Sequence, residues 1–272
     1  MEPPCPVFDS HVHIFPDNIG ARVVAQVAVG LPLQPSYDGT RAGLLRTMAA
    51  AGIAGSLNAP VATRADQVAT INTWAAAQNR WPMLSLGAMH PDLPDAPAEL
   101  RRVKELGLPG IKMHPEYQAF APDEARLVPI WRTCRDLGLI VLLHAGNDWQ
   151  FQPPCRAAPA AIARVVRAWP GLTFIAAHFG GTDLWDDVAR ELLGLPLYLD
   201  TSFTVGYLPE AQFLLMVRKH GADRVLFATD APWQDPPVTL AAFRRLTLTP
   251  DEQHAILWGN AERLLGFGDK RQ

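Results

Sequence analysis

The 272 residues are predicted to form a closed (β/α)8 barrel, and three observations carry that expectation. Short apolar runs alternate with amphipathic stretches from one end to the other, which implies parallel strands with helical crossovers. The strand-like runs number eight, the count that closes such a barrel. The polar residues suited to chemistry sit where those runs end, the face on which barrel enzymes build active sites. An open doubly wound sheet is the competitor, but it would want a GxGxxG phosphate loop after the first strand, and none follows. Length permits a single domain over 1–272, since one barrel commonly runs to about 250 residues.

Taken in order, the strand candidates begin at Val7, Ile53, Met83, Gly110, Leu139, Leu172, Leu197 and Arg224. Helical stretches are read at 64–79, 95–106, 123–137, 157–168, 183–193 and 209–220. The segment 17–39 is extra to the repeat: a helix-like GARVVAQVAV is followed by Pro-rich GLPLQPSYDG, and it is expected to cover the barrel mouth. Near the C-terminus, Thr249, Pro250 and Glu252 spell a helix start with a capping box.

Composition excludes several functions. A net charge of −3 gives no footprint for nucleic acid or an anionic membrane, so a small-molecule substrate is expected. Cys5, Cys134 and Cys155 lack CxxC spacing, which argues against a thiolate metal cluster and fits a reducing compartment. The longest apolar segment, LGLIVLLHAG, is far short of the roughly 18 residues a membrane span needs, and no basic region precedes an apolar start. A cytoplasmic protein is the expectation. A homodimer is an option that barrels of this kind often take.

FDSHVHIF is the most informative segment. Successive strand side chains alternate, so Asp9, His11 and His13 share one face. Alone, the pair reads equally well as two surface or capping histidines. Other strand ends shift the balance: LIVLLHAG ends on His144, TFIAAHFGG on His178 and RVLFATDAPW on Asp230. His11, His13, His144 and Asp230 together offer nitrogen and carboxylate ligands at about 2.0–2.2 Å, the mixture expected for Zn, Mn or Fe rather than Ca. Zinc is the first expectation. Water on such an ion loses a proton near neutral pH, and Asp230 is placed to accept that proton and later return it.

DSHVH, GIKMHP, LLHAG, AAHFGG, FATDAPW and GNAERLLG resemble, over nearly the whole length, the amidohydrolase superfamily. The likeness is to its amidohydrolase-related group, which includes the aminocarboxymuconate-semialdehyde decarboxylase-like enzymes. The resemblance implies a TIM barrel and makes His11 and His13 first-strand ligands, His144 the fifth-strand ligand, and Asp230 the eighth-strand ligand and proton shuttle. It makes His178 a second-metal ligand or a free polarising or acid/base group; a purely supporting hydrogen bond is the structural alternative. Lys112 and His114 share a face of the fourth strand. A lysine buried among metal-bound histidines is disfavoured as a cation, which raises carbamylation and metal bridging, as in the dihydroorotases. Pairing with Glu116 or binding an acidic substrate is the other reading. One essential metal is expected, with a second if Lys112 is carbamylated.

Asn147, Trp149 and Trp233, with Asp148 and Phe151, follow strand ends as candidates for a substrate pocket, although each also reads as ordinary packing. Thr201 and Ser202 are candidates for touching substrate. The first functional expectation is a metal-dependent hydrolase acting on an amide, lactam, lactone or ester of a small molecule. The alternative is a nonoxidative decarboxylase of a small unsaturated or aromatic carboxylic acid, and the shortness of the chain tips the reading towards hydrolysis. A Ser-His-Asp triad lacks its GxSxG elbow. A TatD-like nuclease is disfavoured by the net negative charge and by Lys112 where a glutamate is expected, and a nonenzymatic barrel leaves the ligand set without purpose.

Overall fold

The computed structural model describes residues 5–268. Among them run β1 (Phe8–Val12), β2 (Gly55–Asn58), β3 (Met83–Ser85), β4 (Gly87–Ala88), β5 (Gly110–Met113), β6 (Ile140–Leu143), β7 (Phe174–Ala176), β8 (Tyr198–Asp200) and β9 (Val225–Leu226). All eight expected strands are present, each starting within two residues of its expected position, and the third is divided at Leu86 into β3 and β4. The chain forms two compact units: one comprises the segments through Asn58, Trp81–Leu84 and from Asp200 onward, the other Ala59–Arg80 and Ser85–Leu199.

In the first unit β1, β2 and β3 are neighbours in that order, and β1 pairs with β2 in parallel. Phe8 lies opposite Gly55 and Val12 opposite Asn58, with the register shifting between Asp9 and Val12. On its other side β1 takes bonds from the β9 region: Ser10 N–H donates to Phe227 O (2.9 Å), and Asp230 N–H donates to His11 O (2.7 Å). Buried Phe8 stacks on Phe267 at 4.5 Å and on Trp81 at 6.5 Å, pairs that contribute about 0.5–1.5 kcal/mol each beyond their buried area. Gly55 permits this packing, because a Cβ there would stand 2.7 Å from the Trp81 ring.

The helix Arg41–Ala51 buries only Gly43, Leu44 and Met48, too little contrast to stand out in the sequence. Its ends are nevertheless written there: the Thr40 side chain accepts from Gly43 N–H (3.0 Å), and Gly52 takes the left-handed C-terminal position. The expected capping box forms at Thr249 and Glu252 and opens the helix Pro250–His254. A π-helical turn, Ala255–Gly259, follows, and its Ile256 carbonyl accepts from Phe227 N–H (2.9 Å), which ties the C-terminal helices to the β9 strand.

The second unit holds the parallel ladder β4-β5-β6-β7-β8. Its helices are Val68–Gln78, Ala96–Glu105, Val128–Leu137, Pro159–Ala168 and Trp185–Glu191, inside the expected stretches but shorter. The stretch expected from 123 enters its α-helix only at Val128, after a 3-10 turn Ala125–Leu127, with Pro129 in the first helical turn where its missing N–H costs nothing. Register fixes the faces: Lys112 pairs with Leu142, so two residues later His114 and His144 leave the sheet side by side. No helix among the described residues is long and apolar enough to cross a membrane.

Candidate metal centre

His11, His13 and Asp230 converge in the first unit. Asp230 Oδ1 lies 2.8 Å from His13 Nε2 and 3.3 Å from His11 Nε2, and one ligand atom from each residue lies within 4.8 Å of the others. Ligands sharing one ion at about 2.0–2.2 Å stand roughly 3–3.6 Å apart, so the three atoms need little movement to enclose a transition ion. Two imidazoles and a carboxylate, all buried, are the donor set such an ion takes, and the chemistry of the trio fits the group.

Asp200 completes the arrangement. Its Oδ2 stands 2.9 Å from His11 Nδ1. A carboxylate only accepts, so this contact puts the His11 proton on Nδ1 and presents the Nε2 lone pair towards Asp230. Asp200 is itself held at Oδ1 by Ser202 N–H (3.1 Å) and by the Ser202 hydroxyl. The sequence signal was present, since LYLD ends a strand on a carboxylate as FATD does. Ser202 and Thr201, expected to touch substrate, are fully buried and spent on structure: Ser202 braces Asp200, and Thr201 Oγ1 exchanges bonds with Ala228 O and N–H (3.2 and 3.0 Å).

Asp230 has φ +57, a left-handed conformation that costs a non-glycine residue energy and is tolerated best by Asp, Asn and His. Four hydrogen bonds hold it there. Its N–H donates to His11 O, His13 N–H donates to Ala231 O (2.7 Å), and buried Asp9 accepts from Thr229 N–H (3.0 Å) and the Thr229 hydroxyl (2.5 Å). Burial pushes the Asp9 carboxyl up to about 7, against the bonds from Thr229 and from His11 N–H that lower it. The Tyr37 hydroxyl donates to His13 O (2.7 Å) and Ala231 O (3.1 Å), so the end of segment 17–39 is fastened to the two chains that carry the ligands. Burial and the nearby Asp9 and Asp230 carboxylates raise the Tyr37 pKa well above its ordinary value, which keeps the phenol a donor. Ser36 N–H adds a bond to Pro232 O (2.8 Å), and Trp233 N–H closes the turn on Asp230 O (3.0 Å).

The remaining expected histidines gather in the second unit. His144 and His114 stack at 4.1 Å with their rings 15° apart, His178 Nε2 lies 2.9 Å from His144 Nδ1, and Asp148 Oδ2 lies 3.4 Å from His114 Nε2. His178 and Phe179 both have left-handed backbones, φ +57 and +54. Lys112 is buried on the same strand as His114. Glu116, offered as its partner, accepts instead from Arg156 N–H and has Arg156 Nε at 3.7 Å. Asn147 N–H donates to Thr182 O (3.0 Å). The half-exposed Trp149 donates its indole N–H to Asp183 (3.0 Å), and Phe151 meets Tyr117 edge-on at 5.2 Å.

A family model for the amidohydrolases matches residues 8–267. No curated protein matches the chain. Among solved structures, the chain is similar to an uncharacterised TIM-barrel protein from Bordetella bronchiseptica, with 23% identity, TM-score 0.74, and coverage of 96% of this chain and 98% of that one. It is similar to 5-carboxyvanillate decarboxylase from Sphingomonas paucimobilis, with 15% identity, TM-score 0.73, and coverage of 96% and 99%. It is also similar to a dihydroxybenzoic acid decarboxylase from Polaromonas bearing manganese and the inhibitor 2-nitroresorcinol, with 19% identity, TM-score 0.69, and coverage of 98% and 99%. At these identities the likenesses show the fold, a parallel α/β architecture of TIM-barrel type.

Proposed function

The chain belongs to the amidohydrolase family, and from that premise we propose that it is a metal-dependent nonoxidative decarboxylase of a small aromatic or unsaturated carboxylic acid. The observation that carries the reading is the convergence of His11, His13 and Asp230, one ligand atom each within 4.8 Å. These three residues would hold a divalent ion, with Asp200 keeping His11 in the required tautomer. When bound, the ion supplies Lewis-acid polarisation of an oxygen on the substrate.

The chain's own residues supply the rest. Loss of carbon dioxide breaks a carbon–carbon bond and leaves the electron pair on carbon, where a proton must replace it. Asp230 is the carboxylate that can hold a proton and deliver it, and its strained backbone fixes the direction of its oxygens. His178 is proposed as a polarising or acid/base group, and Asn147, Trp149 and Trp233 as pocket residues.

Two likenesses favour decarboxylation over the hydrolysis that chain length suggested. The chain covers 99% of both the Sphingomonas and the Polaromonas decarboxylase, so its length no longer argues against their chemistry. Manganese in the Polaromonas structure likewise makes manganese, rather than zinc, the first ion to supply. Manganese-loaded protein offered 5-carboxyvanillate, dihydroxybenzoic acids and unsaturated acids is expected to release carbon dioxide. A panel of lactones and acyl amides hydrolysed with no carbon dioxide from any acid would replace decarboxylation by hydrolysis at the same trio.

A further inference from the structure

Apart from the metal trio, the first unit holds a cavity of about 210 Å³ beside the loop that begins at Asp200. Val205 and Leu208 from that loop, Phe213 from the helix Glu210–His220 and Leu246 beyond the helix Pro236–Arg244 give it an apolar lining. Two charged residues, Glu210 and Arg245, also line it, and both are exposed, so they stand at its mouth. None of these residues belongs to the trio. The volume is below the roughly 300 Å³ at which pockets for drug-sized ligands begin, so the occupant it fits is small.

The two charges do not serve each other. Among the described residues no ion pair joins them, and the Arg245 guanidinium has no hydrogen-bond partner. Glu210 Oε1 accepts from Thr247 N–H (3.1 Å) and from the Thr247 hydroxyl (3.2 Å), which fixes the carboxylate while Oε2 keeps no partner among the described residues. The wall made by Val205 and Leu208 is fixed as well. Leu208 N–H donates to Thr204 O (2.9 Å), the Thr204 hydroxyl donates to Ser202 O (2.9 Å), and Val205 bridges to Leu208. A cavity whose wall and carboxylate are held before anything binds loses little affinity to ordering them.

An anion alone would meet Glu210, and a cation alone would meet Arg245. A molecule with both charges and an apolar body satisfies the whole lining: its carboxylate takes the planar guanidinium, its ammonium takes Glu210 Oε2, and its side chain displaces water from the apolar wall. We propose that this cavity binds a zwitterionic α-amino acid with an aliphatic side chain, of the size of leucine. The proposal concerns a site separate from the metal trio and stands apart from the choice between decarboxylation and hydrolysis.

L-Leucine is the probe, titrated by calorimetry into full-length protein, both metal-stripped and manganese-loaded. Saturable binding of a single equivalent per chain is expected in both preparations. Isocaproate, which lacks the ammonium, and isoamylamine, which lacks the carboxylate, are each expected to bind at least about tenfold more weakly. Arg245→Gln and Glu210→Gln should each weaken leucine by a similar factor, and the second keeps an oxygen for the Thr247 bonds while removing the charge. Ala242→Leu places a larger side chain on the cavity wall and should abolish binding, with far-UV circular dichroism as the folding check. No saturable heat with leucine at roughly 10 mM would overturn the proposal. Isocaproate binding as tightly as leucine would reject the zwitterion, and full leucine affinity in both charge variants would reject the cavity. Leucine binding confined to the manganese-loaded protein would replace the site by chelation at the ion.

Discussion

The two His-His-Asp trios are built from the same three residue types and differ in what stands behind them. In the first unit a second carboxylate, Asp200, backs His11, so two imidazoles face two carboxylates. In the second unit His144 is backed by another imidazole, His178, and one carboxylate, Asp148, serves the cluster. Opposite charge at short range strengthens cation binding, and an acceptor behind a ligating histidine raises its basicity. The first trio is therefore the one proposed to hold the ion.

The largest effect expected from this contrast is on His11. Its replacement by alanine removes a ligand and leaves buried Asp200 facing a void, so turnover should fall by at least about 100-fold and fail to recover with added manganese. Full turnover in that variant would refute the assignment of the first trio as the working centre. Asp200→Asn asks the next question. The amide can still accept from His11 but no longer carries charge, and ion affinity should drop about 10–100-fold, measured by competition with a chelator. An unchanged affinity would mean that charge behind the histidine is not what separates the trios.

His178→Gln should act more weakly, lowering turnover by a few-fold to about tenfold, because a polar side chain is kept while the contact with His144 Nδ1 changes. Unchanged turnover in this variant would deny His178 a part in the reaction. Smallest for ion binding is Gln118→Leu. Three hydrogen bonds disappear and buried carbonyls lose donors, at about 1–3 kcal/mol for each group left unsatisfied, so the melting temperature should fall by several degrees while the first site keeps its affinity.

Strand positions were legible because each is a short apolar run between turn formers, and the polar contacts among His11, His13 and Asp230 and between His144 and His178 were foreshadowed because each of these residues interrupts such a run at its end. Asp200 obeys the same rule but was hidden by the DTSF that follows, whose hydroxyls suggest substrate contact until Ser202 is seen bracing the carboxylate. Pairing within the site was less accessible, since Asp200 and His11 are separated by 189 residues and only register and loop conformation bring them together. Tyr37 and Gln118 were illegible for a related reason. Both act through backbone carbonyls, which every residue possesses, so no residue type at the far end of the bond betrays them.

Tyr37 also divides the insertion into parts of unequal freedom. From Ser36 onward the segment is stitched to the backbone of His13, Ala231 and Pro232, whereas Val29 near its middle is largely exposed. For an engineer this is a natural splice point: residues 29–35 can be exchanged or lengthened while the stitch preserves the alignment of the backbone around His13 and Ala231. Diversity introduced past Ser36 would disturb that alignment, so a library should stop one residue short of it.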